Sequence, residues 1–425
     1  MNTTRSSDIK ANSPYSLSFI LFWFALYYAP ILNFYLPSTN FGPGIPDLGF
    51  HELILILWVL AAFIDRSIKN LTRRVHTPWI TLLGIYSFIV IISVSWSRES
   101  YSSSNIRDLF YHIFVPFLFG YASTFYTLNE EFRRSLVKHA TVGCVVLSLL
   151  GLINYITQYG GKIDEMRSAA TLHNPNALAI FLVLNIPLVL YGIYKNVLNR
   201  NLGYLALIII LLGVLGTISR KGIITAGLSC AIFLVMKRNY KILLLSIILC
   251  ALFITFSIGI EPIAKRFDEK KINEQIAGKW NMTLAGWNMF RQHPLKGLGY
   301  KGYYNEFGKY FRDSGRLKYD AHNNFITALA NFGLIGIGPF LGIFLLPLKY
   351  SLNILKYFGR AISTDEQMRQ LTGIAILIPF MFNAWFAGDL MYMAVITTVF
   401  YTLIGFFCIS TPKSLPVATT AATLK

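Results

Sequence analysis

Long apolar runs, broken by short polar connections, dominate this chain from residue 17 to residue 410. A helix needs roughly 17–25 such residues to cross a bilayer. The pattern predicts twelve spans, near 17–36, 50–65, 78–96, 109–127, 138–157, 174–194, 203–218, 222–236, 241–260, 323–348, 370–387 and 390–410. A membrane β-barrel would show short alternating segments instead. The expected fold is an all-α integral membrane protein with about 12 transmembrane helices and one large, partly helical loop. Residues 1–16 form a polar tail, 17–260 the first nine spans, 261–321 the loop, 322–410 the last three spans and 411–425 a second tail. The first apolar run is long and has no small-residue cleavage site, so it reads as a retained anchor.

Composition agrees with this reading. The chain is 54% hydrophobic and 15% aromatic, with 14% charged residues and a mean hydropathy of +0.52. Soluble domains carry about 25% charged residues. The net charge of +18 invites a nucleic-acid reading, but the distribution of cations answers it differently. One set of connections and both tails hold twenty Lys and Arg, among them Arg66, Arg133, Lys195, Lys237 and Arg369, whereas the opposite short connections hold six. The positive-inside rule then puts both termini in the cytoplasm, and the charge is in part a topology signal. Cys144, Cys230, Cys250 and Cys408 all lie in apolar spans with no paired spacing. They read as buried small hydrophobes.

Against this background Arg220 and Lys221 stand out, because nothing else between Asn201 and Met236 is charged. The span expected after them, 222–236, has fifteen residues, roughly 22 Å of helix against a hydrocarbon core of about 30 Å. The cations are thus expected below the outer membrane boundary, where they are costly and face a cavity or snorkel to the surface. A ligand there would be anionic. The loop 261–321 carries twelve Lys and Arg against seven Asp and Glu and is rich in aromatic residues. It is expected to be ordered. Ile276, Trp280, Leu284 and Trp287 repeat at helical spacing, which predicts an amphipathic helix over 272–291. It would lie on the membrane surface or against the ends of the spans, with its Trp pair packed in a core. Arg266 and Lys279 are the loop cations expected near a site.

His322 opens the tenth span, and Gly333 and Gly336 follow it by eleven and fourteen residues. At roughly 3.6 residues per turn these share a helix face, and the glycines would let a neighbouring helix approach. Asp320, His322 and Asn323 offer a base and polar partners. An imidazole with an ordinary pKa of about 6.5 suits general-base work; a capping or hydrogen-bonding histidine is the plainer alternative. Asp389 reads as a polar turn or a partner for these cations. GLGYKG, 297–302, fits a dinucleotide-binding spacing but has no βαβ context, so it reads as a turn. His173, His293 and His322 show no zinc-ligand spacing.

Taken together, these motifs resemble the O-antigen ligase family. His322, Asn323, Gly333 and Gly336 fit its His-Asn-x9-Gly-x-x-Gly pattern. Ser219 and Arg220 fit a Ser-Arg pair between spans, and Arg167 with Asn174-Pro175-Asn176 fits an Arg followed by Asn-Pro-Asn. His293 to Gly299 fits a His-Pro-Leu-x-Gly-x-Gly turn. Where the family has an Arg at the start of the loop helix, Lys279 stands here, so Arg266 and Lys279 both remain candidates. The resemblance implies a GT-C-like, metal-independent, inverting glycosyltransferase without a cofactor, at the periplasmic face of the bacterial inner membrane. Its donor would be O-antigen on undecaprenyl diphosphate and its acceptor a sugar hydroxyl of lipid A–core. His322 would be the catalytic base. Arg220, Lys221 and Arg266 or Lys279 would bind the diphosphate, and Asn323, Ser219, Arg167, Gly333 and Gly336 would support them. A polysaccharide polymerase would use the same donor on a different acceptor. A lipid-linked glycan transporter would use the same cavity without chemistry, although no internal repeat marks one here.

Overall fold

The computed structural model describes residues 17–32, 56–61, 78–97, 113–126, 130–157, 167–172, 174–244, 269–311, 321–358, 364–386 and 394–407, with a few single positions between them. Every regular element among the described residues is a helix. α1 (Leu17–Trp23) runs through a π-helical turn at Phe24–Tyr28 into α2 (Ala29–Leu32). α3 (Pro78–Ser93), α4 (Val115–Tyr126), α5 (Glu130–Thr157), α6 (Pro175–Tyr194), α7 (Arg200–Gly216) and α8 (Arg220–Met236) follow. α9 (Glu269–Gln292) and α10 (Gly302–Tyr310) fall in the expected loop, and α11 (Asn324–Ser351), α12 (Asp365–Phe386) and α13 (Ala394–Phe407) complete the order.

Four of these helices are long and apolar enough to cross a membrane: Pro78–Trp96, Glu130–Thr157, Pro175–Tyr194 and Asn324–Tyr357. Ile20–Leu32, Arg200–Gly216 and Val395–Phe407 are shorter apolar helices. The protein is therefore an all-α integral membrane protein. The spans expected near 50–65 and 241–260 fall largely outside the described residues. α6 sits at the centre, packed by α5, α7, α8 and α12. Its sequence is apolar on nearly every side, as a helix buried all round requires, and its one mid-helix amide, Asn185, accepts from Tyr27 Oη at 3.1 Å. Outer helices turn apolar side chains such as Phe88, Ile153, Leu205 and Leu334 outward, the surface a lipid environment accepts and water does not.

Polar ties hold the bundle where apolar contact with lipid gives no preference for protein. Trp79 Nε1 donates to the Ile343 carbonyl at 3.0 Å, joining α3 to α11. Ser229 Oγ donates to the Ala375 carbonyl at 2.8 Å and Asn383 Nδ2 to Thr225 Oγ1 at 3.1 Å, joining α8 to α12. At one end of the bundle Asp365 pairs with Lys195 at 3.0 Å and Arg133 at 3.7 Å, and the buried Arg369 donates to the Phe406 carbonyl at 2.9 Å. These cations come from the set that sequence assigned to one side of the membrane, and they meet at one end.

Two expectations require correction. Gly333 does not lie on a regular helix face. It has φ 57° and ψ −155° and breaks α11. The turn Pro294–Gly299 docks into this break: the N–H groups of Leu334 and Ile335 donate to the carbonyls of Pro294 and Leu295 at 2.8 and 3.1 Å. In return the N–H groups of Leu298 and Gly299 donate to the carbonyls of Ala330 and Asn331 at 2.9 and 2.8 Å. Gly336 does sit on a packed face, where a Cβ would come within 3.6 Å of Ile89 on α3. The second correction concerns α9, whose Trp pair is not in a core: Trp280 is 63% and Trp287 45% exposed, beside exposed Ile276 and Leu284. The face that packs holds Met282, Ala285 and Met289, against Tyr303, Phe307 and Ile326. Gly286 sets the contact, since a Cβ there would meet Ile326 at 2.2 Å. The small-residue face thus won the protein contact, and the aromatic face is left outward.

Candidate active site

Three helices begin at the other end of the bundle, and their first turns surround one cavity of about 370 Å³. α6 is capped by Asn174, whose side chain accepts from the N–H groups of Asn176 and Ala177 at 2.8 and 3.4 Å, with Pro175 in the first helical position. This is the residue order that favours a helix start. α8 is capped by Ser219, whose Oγ accepts from the Gly222 N–H at 3.3 Å. α11 is capped by Asn323, which accepts from the N–H groups of Phe325 and Ile326 at 3.0 and 3.1 Å. The positive ends of three helix dipoles therefore point at the same space.

The side chains add to that field. Arg220 and Lys221 are the first residues of α8, the turn itself being Thr217–Ser219, and both line the cavity. Lys221 Nζ donates to the Phe386 carbonyl at 2.9 Å, at the end of α12. This bond ties the start of α8 to the end of α12. Lys279 enters from α9, and His322 stands one residue before the cap of α11. Burial of Lys279 lowers its pKa below that of an ordinary lysine, and the charge of Arg220 lowers it further. Ile224, Ile276, Phe382 and Phe386 form an apolar wall.

Behind the cations lies a clamp. Asn176 Oδ1 accepts from Arg167 Nη2 at 3.1 Å and from Ser219 Oγ at 3.0 Å, while Arg167 Nε donates to the Thr217 carbonyl at 3.3 Å. Arg167 thus braces the start of α6 and the turn before α8; it does not line the cavity. Gly222 lets the two helices close up, since a Cβ there would meet the Ala179 Cβ at 2.6 Å. Two non-glycine residues here adopt left-handed backbone: Ile218 at φ 48° and His322 at φ 51°. For a β-branched residue such as Ile218 this conformation is a true outlier, and strain of this kind collects at functional sites.

The structure brings together His322, Arg220, Lys221, Lys279 and Ser219. Asn323 supports them as a cap. Gly333 and Gly336 lie farther down α11 and shape its course. Arg266, Asp320, Asp389 and His173 lie outside the described residues. Sequence reasoning gave Asn176 no role of its own and missed the apolar wall. Asn176 had a usable signal, the polar Asn-Pro-Asn start of a helix whose only other amide side chain is Asn185; Phe382 and Phe386 had none, since aromatic residues in a span normally face lipid or core.

The lowered pKa of Lys279 gives a prediction with a sign. A neutral amine holds no phosphate, and Lys279 loses its proton at lower pH than a surface lysine, whose pKa is about 10.4. Affinity for inorganic pyrophosphate should therefore fall on the alkaline side, before that pH is reached. Lys279→Arg should hold its affinity through the same range, because guanidinium stays charged. Calorimetric titration across the alkaline range checks both.

Residues 205–341 match the family model described as O-antigen ligase. The matched segment carries Arg220, Lys221, Lys279, His322 and the Gly333 break, and it agrees with the resemblance drawn from the motifs. It supports an enzyme of glycosyl transfer in lipopolysaccharide synthesis, of the ligase or polymerase type. No curated protein matches the chain.

Proposed function

We propose that this protein is an O-antigen ligase that moves polysaccharide from undecaprenyl diphosphate to a sugar hydroxyl of lipid A–core at the periplasmic face of the inner membrane. The observation that carries this reading is the convergence of three cations, three helix starts and His322 on one cavity with an apolar wall. A lipid diphosphate asks for that combination: charge for the headgroup and a greasy side for the prenyl chain. The fold would have twelve spans of a GT-C-like arrangement with both termini cytoplasmic. The exposed Trp280 and Trp287 face of α9 suits the headgroup layer, where amphipathic helices rest.

In the proposed reaction His322 takes the proton from the acceptor hydroxyl, whose oxygen forms the new bond to the anomeric carbon. The bond from that carbon to the diphosphate oxygen breaks in the same displacement, which inverts the centre. Arg220, Lys221 and Lys279 stabilise the charge that develops on the leaving diphosphate. Arg266 remains a candidate fourth cation. No step calls on a metal or cofactor.

Arg220→Ala should raise the KM for lipid-linked donor about 10- to 100-fold, the value of one or two charge-assisted hydrogen bonds. Insertion and expression should not change. Initial rates at limiting donor check this, and unchanged turnover there would count against diphosphate binding. In cells, a deletion strain should show bare core with polymer left on the carrier; core carrying a single repeat unit would favour a polymerase.

A further inference from the structure

A second cavity, about 470 Å³, opens between the end of α3 and the loop helices and shares no lining residue with the first. It falls in the size range of small-ligand clefts, roughly 300–1,000 Å³. Trp96, His293, Lys296, Asn305, Glu306 and Tyr310 are among its walls. Three buried polar atoms there have no hydrogen-bond partner: Trp96 Nε1 and both amide atoms of Asn305, Nδ2 and Oδ1. Native proteins rarely leave such atoms unpaired, because an unmade hydrogen bond is costly.

The identity of those atoms restricts the ligand. Trp96 Nε1 and Asn305 Nδ2 donate, and Asn305 Oδ1 accepts; reversing the amide exchanges the last two and leaves the demand unchanged. A phosphate offers acceptors and could satisfy only the donors. Neighbouring hydroxyl groups both donate and accept, so they can satisfy all three. The fixed charge is nearly balanced, with Glu306 paired to Lys309, which does not select a strong anion. Lys296 lies 5.9 Å from the centre of the Trp96 ring and holds it in place. Tyr310, whose hydroxyl donates to Gln292 Oε1 at 2.9 Å, adds a second aromatic surface. Aromatic rings accept the C–H face of a sugar, and the amide and indole N–H meet its hydroxyl edge.

We infer that this cavity is a saccharide subsite that takes one or two sugar residues through vicinal hydroxyls. Its wall, the turn from His293 to Gly299, is hydrogen-bonded into the break of α11, the helix that His322 precedes. A glycan held here is thus attached to the same rigid unit as the residue proposed as base. The saccharide chemistry follows from the cavity alone; assigning it to acceptor or donor rests on the proposed function.

The test uses the full chain in nanodiscs and two probes: core oligosaccharide freed of lipid A, and a single soluble repeat unit of the polymer. Titration followed by saturation-transfer NMR should show one probe binding and so name the source, acceptor or donor. Asn305→Leu keeps the shape without the pairing, and Trp96→Phe keeps a ring without the N–H. Each should weaken that binding about 5- to 20-fold, with an unchanged melting temperature. Binding of neither probe, or binding that both substitutions leave untouched, would overturn the subsite. Inorganic pyrophosphate titrated into the same samples reports separately on the cavity beside His322. Its failure to bind would remove the diphosphate reading and leave the saccharide result standing.

Discussion

His322→Ala is expected to lower the rate of transfer about 100-fold or more at saturating donor, while donor affinity stays within about twofold. The expectation follows from position. His322 lines the cavity at the start of α11, and the cap beside it is made by Asn323 and not by the histidine. Removing the imidazole therefore leaves the cap of the helix start intact. A transporter working through the same cavity would keep its turnover. Single-turnover transfer with purified donor and core separates the two, and a well-inserted variant that still ligates at the wild-type rate would end the general-base assignment.

Gly333→Ala is expected to destabilise the protein strongly. A Cβ at Gly333 would lie 2.4 Å from the Leu295 carbonyl oxygen and 2.7 Å from that of Pro294, and φ of +57° with ψ of −155° is a conformation nearly closed to L-residues. Strain of that kind alone costs about 1–3 kcal/mol. The clash is with backbone oxygens that accept the bonds of Leu334 and Ile335, so relief requires breaking them. The total should reach at least about 3 kcal/mol, in the range reserved for special backbone positions. Gly338→Ala is the control, since a Cβ there meets nothing within 4 Å. Thermal unfolding in detergent should show a large drop for the first variant and none for the second.

Sequence made the helices and the site cations legible for one reason: in a membrane chain apolar length and isolated charge are both rare enough to carry meaning. Arg220 and Lys221 could be picked out because thirty-odd neighbours were uncharged, and Lys279, alongside Arg266, because the resemblance placed it where the family has an Arg. Helical periodicity misjudged Gly333, because spacing assumes that the helix continues. The carbonyls that interrupt it come from residues 294 and 295, nearly forty positions earlier. The same limit applies to α9. Its large apolar face drew attention, yet the packing went to the face with Gly286 and Ala285, where backbones could approach. The clamp of Arg167, Asn176 and Ser219 joins three segments far apart in sequence, and only the motif order hinted at it.

The break at Gly333 also makes α11 electrically two helices. The stretch after it starts afresh, with a positive pole of its own formed by the free N–H groups of its first turn. That pole is quenched by the carbonyls of Pro294 and Leu295. The upstream pole lies at Asn323, whose side chain takes the N–H groups of Phe325 and Ile326, beside the cavity that His322 lines. The turn that closes the break thus leaves its own neighbourhood without a helix pole to draw an anion.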